Sequence, residues 1–414
     1  MEDIIMYLSS ILFLVLFLFL LFVFMIFIIS WFKNKKHKSF EPKISVIIPA
    51  YNEENNISEC INSIYDSDYD SSKIEVIVVD DGSIDDTLNI LQEYKNIKVL
   101  KQDHRGKSDA LNLGVRHAKN EFILSIDADS TLDRNCIKEL VKPLANPKIG
   151  ATTGTSKVKN IKNIWTIFQN IEYHYNNLIR KSFSSVFNNG IWFFGALACY
   201  RKSVLEKIGL FKKDTLTEDM DIALEIYKAG HKTFHVYNAY CYTIVPSTLK
   251  ELYSQRARWW MGVLQSLIKN KKLFSSKSCP SIIFLFINQF WWSFFALLSL
   301  PVIVYQVNYW LPYNTANFFT LFSYIFRWFS LSGPFYVIYK IPEWGLNFYN
   351  FFGVFSGIIS AILILVSIKM FKDKVNFKNS FALFFYFPYT IILNIIISIS
   401  LISHIYTKKR YFIR

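Results

Sequence analysis

Asp127 and Asp129 stand two residues apart directly after the apolar run 122–126, which reads as a strand. Divalent cations such as Mg2+ and Mn2+ take oxygen ligands, usually one or two carboxylates, with phosphate oxygens and water completing the shell. A strand-end Asp-x-Asp pair suits a metal-bound phosphate ligand, although the same residues alone also make a turn or helix cap. Asp80-Asp81-Gly82-Ser83 closes a second apolar run, 74–79, and again has two readings. One is a strand-to-helix turn; the other is a carboxylate placed to accept a hydrogen bond from a base N–H. Gly106-Lys107 opens a helix, where an amino terminus attracts phosphate and Lys adds a point charge; an ordinary exposed first-turn Lys is the plainer alternative.

Thr217-Glu218-Asp219 has the form of a helix start, with Thr217 as the cap and the acids well placed in the helix dipole. A carboxylate there can also take the proton of an attacking hydroxyl, a general-base role. Gln255-Arg256-Ala257-Arg258-Trp259 sets an amide, guanidinium groups and an indole on neighbouring helical positions. Indole faces stack on the C–H faces of sugars, and Arg neutralises a departing diphosphate. Membrane-surface anchoring is the alternative; it accounts for Trp260 but not for Gln255. Together these groups suit a metal-bound nucleotide donor and a neutral polyhydroxylated acceptor. His104, His117, His174, His231 and His235 show no metal spacing and receive no role.

The elements that must position these groups alternate. Residues 44–48 form a β-rich run stopped by Pro49, and Ile57, Cys60, Ile61 and Ile64 then recur with helical spacing. Strands at 74–79, 97–100 and 122–126 are each followed by an amphipathic helix, which predicts an α/β domain with a parallel, doubly wound sheet. In such sheets ligands sit at the strand carboxyl ends. No Gly-x-Gly-x-x-Gly fingerprint is present, so no dinucleotide is inferred. Residues 157–201 look aromatic and irregular. Short elements follow at 205–211 and 219–230, and residues 246–272 suggest an amphipathic helix on the inner membrane surface.

Bulk composition requires a membrane. The 414 residues are 52% hydrophobic and 18% aromatic but only 19% charged, below the roughly 25% charge of soluble domains. Residues 4–31 exceed the roughly 20 residues needed to cross a bilayer. Trp31 and Lys33, Lys35, Lys36 and Lys38 follow as an aromatic belt and cytoplasmic anchor. The amino terminus is therefore expected outside and residues 39–275 inside. Further spans are expected at 281–306, 350–370 and 381–404. Residues 318–339 carry Arg327 and Gly333-Pro334, and a central Arg costs several kcal/mol in lipid. Lys369, Lys372, Lys374 and Lys378 prefer the cytoplasm, which requires that this segment not cross; Lys408-Lys409-Arg410 would then lie outside. Four spans are expected, with 318–339 interfacial or re-entrant, and five is the alternative. The net charge of +14 is scattered or flanks the spans, so no nucleic-acid partner is expected. Five unpaired, irregularly spaced cysteines argue against zinc sites and a disulfide framework, and fit a reducing cytosol.

With Pro49-Ala50-Tyr51-Asn52-Glu53, these motifs stand in the order found in processive family 2 glycosyltransferases, which the chain resembles over about residues 43–265 and the flanking spans. The resemblance implies a GT-A catalytic domain at 43–245, interface helices at 246–275, an amino-terminal membrane helix within 1–32 and a membrane region at 281–404. It implies a UDP-sugar donor, Mg2+ or Mn2+, and inversion at the anomeric carbon. Pro49, Ala50, Tyr51, Glu53, Asp81 and Lys107 would then line the nucleotide pocket beside Asp80. Asp127 would contact the nucleotide sugar or metal, Asp129 would bind the metal, and Asp219 would be the general base. Gln255, Arg258 and Trp259 would hold the acceptor and diphosphate, near Glu218 and the Gly195-Ala196-Leu197 loop. Among subfamilies the poly-β-1,6-N-acetylglucosamine synthases are most similar, while hyaluronan, chitin and cellulose synthases share most motifs. The partners implied are the donor, a polysaccharide acceptor, the lipid bilayer and, for so short a synthase, a small membrane subunit. The protein would be a multi-pass cell-membrane enzyme with a cytosolic catalytic domain. A polyprenyl-phosphate transferase is the rival enzyme reading, disfavoured by Gln255 to Trp259; a sugar-nucleotide sensor is the non-enzyme one.

Overall fold

A computed structural model of the chain describes residues 2–33, 37–190, 192–310, 318–319, 330–371 and 377–407. The first helix, α1 (Glu2–Trp31), leads into an α/β unit: β1 (Ile44–Ala50), α2 (Ile57–Tyr65), β2 (Ile74–Asp80), α3 (Thr87–Gln92), β3 (Ile97–Lys101), α4 (Lys107–His117) and β4 (Phe122–Ile126). Side chains alternate across a strand, and the sheet uses both faces. Ile44, Val46 and Ile48 pack with Ile57, Cys60, Ile61 and Ile64 of α2 on one side. Ile47, Ile77 and Ile123 pack with Ala110, Leu111 and Val115 of α4 on the other. The helical stripe read from the sequence of α2 is its buried face.

The parallel prediction holds for these four strands, in order β3-β2-β1-β4. Beyond them the sheet is mixed. It continues with β5 (Thr131–Leu132), α5 (Cys136–Val141), β6 (Ile149–Val158), α6 (Ile164–Phe187), β7 (Leu197–Arg201), α7 (Lys202–Lys207), α8 (Glu218–Lys228) and β8 (Lys232–Thr243). The full order is β3-β2-β1-β4-β7-β6-β8-β5, with β7 antiparallel to both β4 and β6. Strands β6 and β8 were not expected. Their buried positions include Thr152, Thr153, Thr155, Ser156, Thr233 and His235, which blur an apolar pattern.

Most of residues 157–201 is regular: α6 is a 24-residue helix with a reciprocal cap between Asn163 and Thr166. Apolar periodicity hides it because Gln169, Asn170, His174, Asn177, Lys181 and Ser182 are buried along it. Several of these bond fixed carbonyls: Asn177 Nδ2 donates to Ser156 O at 2.8 Å and Gln169 Nε2 to Pro246 O at 2.7 Å. The helix lies between the sheet and the apolar helices. Leu178, Ile179 and Phe183 meet α1 and Phe284, while Ile167, Phe168 and Ile171 meet Ile364 and Tyr389.

After α9 (Leu249–Lys269) come α10 (Pro280–Trp310), α11 (Gly333–Trp344), α12 (Phe348–Met370), α13 (Phe377–Phe384) and α14 (Tyr386–Thr407). Among the described residues four stretches are long and apolar enough to cross a membrane: Tyr7–Trp31, Pro280–Val304, Asn350–Met370 and Tyr386–His404. They coincide with the four expected spans. Of the doubtful segment, Arg327 lies outside the described residues, as do Lys35, Lys36, Lys372, Lys374 and Lys408-Lys409-Arg410. Residues 318–319 and 330–339 of it are described, and α11, which holds most of these, has 12 residues, too few to cross a bilayer by itself.

Helix α9 does not lie alone on a surface. Leu267 packs with Met220 and Leu224 of α8 and with Leu285 of α10, and Leu252 and Ala257 pack with Tyr389 of α14. It crosses the start of α8 at Gly262, where an added Cβ would lie 2.5 Å from Thr217 Cγ2 and 2.8 Å from Thr217 N. Thr217 occupies the N-cap position, but its side chain makes no capping bond because it is turned against Gly262. Since the backbone nitrogen cannot yield, Gly262→Ala is expected to destabilise by about 1–3 kcal/mol through overpacking, read as a lower melting temperature in detergent; an unchanged melt would refute the close approach.

Candidate active site

The carboxyl ends of β1, β2 and β4 open onto a cavity of about 1900 Å³, well beyond the roughly 300–1,000 Å³ of ordinary small-molecule pockets. Parallel pairing of β1 and β2 places Ala50 beside Asp80, and the chain turns at both ends together. Asp80 is buried, accepts from Ser83 N at 3.2 Å and does not line the cavity, so it shapes the turn. Asp81 does line it, yet is only 3% exposed. Its Oδ1 accepts from Arg105 N at 2.9 Å and its Oδ2 from Gly106 N at 2.8 Å, with His104 Nδ1 2.9 Å from Oδ2. Asp81 thus ties the loop before α4 to the strand end, placing Lys107 at the rim. Gly82 has φ +78°, and a Cβ there would meet His104 N at 2.8 Å. The His104 ring stacks on Tyr51 at 4.1 Å between centroids, forming an aromatic wall that spacing alone did not reveal. Pro49, Ala50 and Glu53 line the same end.

At the end of β4, antiparallel pairing sets Ile126 opposite Leu197. This brings the Gly195-Ala196 loop against Asp127, whose N–H donates to Ala196 O at 3.2 Å. The loop in turn grips Asp219: Gly195 N donates to Asp219 Oδ2 at 2.9 Å and Met220 N to Oδ1 at 2.8 Å. The Lys107 ammonium lies 2.6 Å from Asp127 Oδ1 and 3.2 Å from Glu218 Oε1, joining the parallel half of the sheet to α8. Burial opposes the charge on Lys107, but Asp127 and Glu218 outweigh it and raise its pKa. Burial also opposes the charge on Glu218, yet Lys107 holds it below the usual carboxylate range. Asp219 is pushed up to about 6, by burial first and then by Glu218. Asp129 is pushed up to about 7 by burial, Asp127 and Glu53.

Those like charges bear on a metal. Asp127 and Asp129 line the cavity, and among the described residues no third His, Cys, Asp or Glu groups with them as a ligand cluster. A pair of hard oxygen donors under mutual repulsion fits a Mg2+ or Mn2+ ion that draws its remaining ligands from substrate phosphates and water.

Helix α9 closes the opposite wall. Gln255, Arg258 and Trp259 all line the cavity, with Arg258 Nη1 3.5 Å from Leu216 O. All the candidate residues except Asp80 therefore face one space. The structure adds His104, Glu172 and Arg180 to its walls. Neither Glu172 nor Arg180 could be found from spacing, because both sit on the unrecognised α6. The cavity continues between two of the long apolar helices, lined by Asn288, Gln289 and Trp292 of α10 and by Asn394, Ser400 and His404 of α14.

The sequence model described as Glycosyltransferase like family 2 matches residues 42–262, more than half of the chain. The chain belongs to glycosyltransferase family 2. Among curated relatives, the poly-beta-1,6-N-acetyl-D-glucosamine synthase of Staphylococcus epidermidis is 28% identical over 277 residues, covering 64% of this chain and 66% of that protein. The synthase of the same description from Staphylococcus aureus (strain MSSA476) is 28% identical over 265 residues, covering 62% and 64%. The match thus spans just under two thirds of the length of these relatives. A solved mannosyltransferase from Pyrobaculum calidifontis, in complex with GDP-Man and Mn2+, superposes with a TM-score of 0.64 at 20% identity, over 97% of this chain and 100% of that one. That likeness establishes the GT-A fold.

In this family 2 enzyme, a Cβ at Gly195 would lie 2.7 Å from Asp219 Cβ and 2.9 Å from its Oδ2. If Asp219 is a general base, Gly195→Ala is expected to displace the carboxylate and lower kcat by about 100-fold, with UDP affinity nearly unchanged. A parallel loss of UDP binding would show general collapse instead. If Asp219 is the base it must be ionised, and its pKa is near 6. Turnover should therefore fall as pH drops through 6, approaching tenfold per unit. A flat profile from pH 7.5 to 5 would exclude it.

Proposed function

We propose that this protein transfers sugar from a UDP-sugar, most specifically UDP-N-acetylglucosamine, to a growing β-linked polysaccharide. The carrying observation is Asp219, half-buried and held by two backbone N–H groups in one cavity with both the Asp127/Asp129 pair and Gln255, Arg258 and Trp259. Donor identity is supported by the poly-beta-1,6-N-acetyl-D-glucosamine synthases among the relatives.

In this reading the nucleotide lies against Pro49, Ala50, Tyr51, Glu53 and Asp81, with the Tyr51–His104 stack beside the base. Lys107 and Arg258 face the diphosphate from opposite walls. Asp127 and Asp129 would hold Mg2+ or Mn2+, which neutralises phosphate charge as UDP departs. Asp219 takes the proton of the acceptor hydroxyl, whose oxygen forms the new bond to the anomeric carbon while the bond to the diphosphate oxygen breaks. Attack opposite the leaving group inverts an α-linked donor into a β-linked product. Glu218 stays ionised beside Lys107 and so leaves proton transfer to Asp219. Gln255 and Trp259 hold the acceptor sugar.

The Lys-rich flank of α1 supports a cytosolic catalytic domain with the amino terminus outside. The cavity's continuation between α10 and α14 favours processive synthesis coupled to export. A small membrane subunit would fit as a partner.

Membranes containing the protein, given labelled UDP-N-acetylglucosamine, UDP-glucose or UDP-glucuronate with Mg2+ or Mn2+, are expected to build high-mass label from the first alone. Asp219→Asn should abolish it. A lipid-soluble monosaccharide product would instead identify a lipid-linked transferase.

A further inference from the structure

Arg256 occupies a position between Gln255 and Arg258 to which the reading above gives no task, yet it is 7% exposed and the most heavily engaged cation of the site. Its Nη2 lies 2.9 Å from Glu172 Oε2 on α6, and the Tyr389 hydroxyl, from the last membrane helix, donates to the same oxygen at 2.6 Å. Tyr389 is fully buried and stacks on Phe168, also of α6, at 5.0 Å. On its other side Arg256 Nη1 donates to Gln255 Oε1 at 3.1 Å, and the guanidinium carbon lies 4.6 Å from the centre of the Trp259 ring.

We propose that Arg256, clamped by Glu172 and Tyr389, is the positioning residue for Gln255 and Trp259, so that the last membrane helix sets the geometry of the acceptor-holding groups. The inference rests on the acceptor role given above to those two residues. With its Oε1 taken by Arg256, Gln255 is left to present its amide N–H groups, which suit a sugar hydroxyl oxygen. The guanidinium over the indole, together with the packing of Trp259 against Val158, Tyr173 and Val245, holds that ring in one orientation at the cavity wall. Arg256 can serve both neighbours at once because the guanidinium is a flat fork of several donors. A lysine at this place could not bond Glu172 and Gln255 and cover the indole together. Glu172 fixes the fork, and Tyr389 fixes Glu172.

The test uses the full chain in lipid nanodiscs, comparing Arg256→Lys, Glu172→Gln and Tyr389→Phe with wild type. The probes are UDP with Mg2+ for the donor side and a β-1,6-linked N-acetylglucosamine pentasaccharide for the acceptor side, each titrated by calorimetry, with product length as the third readout. Arg256→Lys and Glu172→Gln are expected to weaken pentasaccharide binding about tenfold and Tyr389→Phe about threefold, as for charge-assisted and single hydrogen bonds. UDP affinity should stay within about twofold and the product should shorten. Tyr389→Phe combined with Trp259→Phe should cost less than the sum of the two, because both act on one contact. Variants that bind the pentasaccharide as wild type does, or that lose UDP and pentasaccharide in parallel, would overturn the inference alone. A wild type that binds UDP but not the pentasaccharide would overturn the acceptor assignment as well.

Discussion

A lysine held between two carboxylates from different parts of the chain organises this molecule. Lys107 comes from the helix after β3, Asp127 from the end of β4 and Glu218 from the start of α8. Without it five acidic side chains, Glu53, Asp127, Asp129, Glu218 and Asp219, would share one partly desolvated rim, and repulsion would protonate several of them. With it the charges separate in function. Glu218 is kept ionised, whereas Asp219, one residue on, is raised toward neutrality, the range suited to exchanging protons. Asp129 is raised as well, by burial and by the neighbouring Asp127 and Glu53.

The geometry that delivers this charge arrangement is topological. Were β7 parallel to β4, its entry loop would lie at the opposite edge of the sheet, away from the rim. Because β7 runs antiparallel beside β4, its entry loop arrives at the rim, where Gly195 can donate to Asp219. The absence of a side chain at 195 is then a requirement of the close approach, as it is at Gly262, where α9 crosses the start of α8.

Helix α6 joins this chemistry to the apolar helices. It carries a row of buried polar side chains, of which Gln169 and Asn177 bond loop and strand carbonyls, and two aromatic and aliphatic patches that dock on α1, α10, α12 and α14. Buried polar groups of this kind are costly unless every partner is in place, which makes the junction between the α/β unit and the long apolar helices geometrically specific. The cavity wall formed by α9 is fixed through the same junction.

Much of this was legible in the chain itself. The alternation of β-branched runs with helical stripes determined β1, α2, β2, α4 and β4, because period and burial coincide there. The acidic pairs announced the rim, and the four spans were fixed by length and apolarity alone. The single-residue resolution of the rim was not legible: Asp80 and Asp81 are adjacent and chemically identical, and only strand pairing turns the second to the cavity. Helix α6 and strands β6 and β8 escaped because their buried positions are polar, and a polar residue reads as surface until its hydrogen-bond partner is known. The residues around Arg327 lie outside the described structure. The sequence by itself thus determined which groups are available for chemistry and which segments leave water, since both follow from side-chain type and local period. Which carboxylate holds a proton, which cation is paired and how the Trp259 ring is held were decided by tertiary structure, since each depends on groups far apart in the chain.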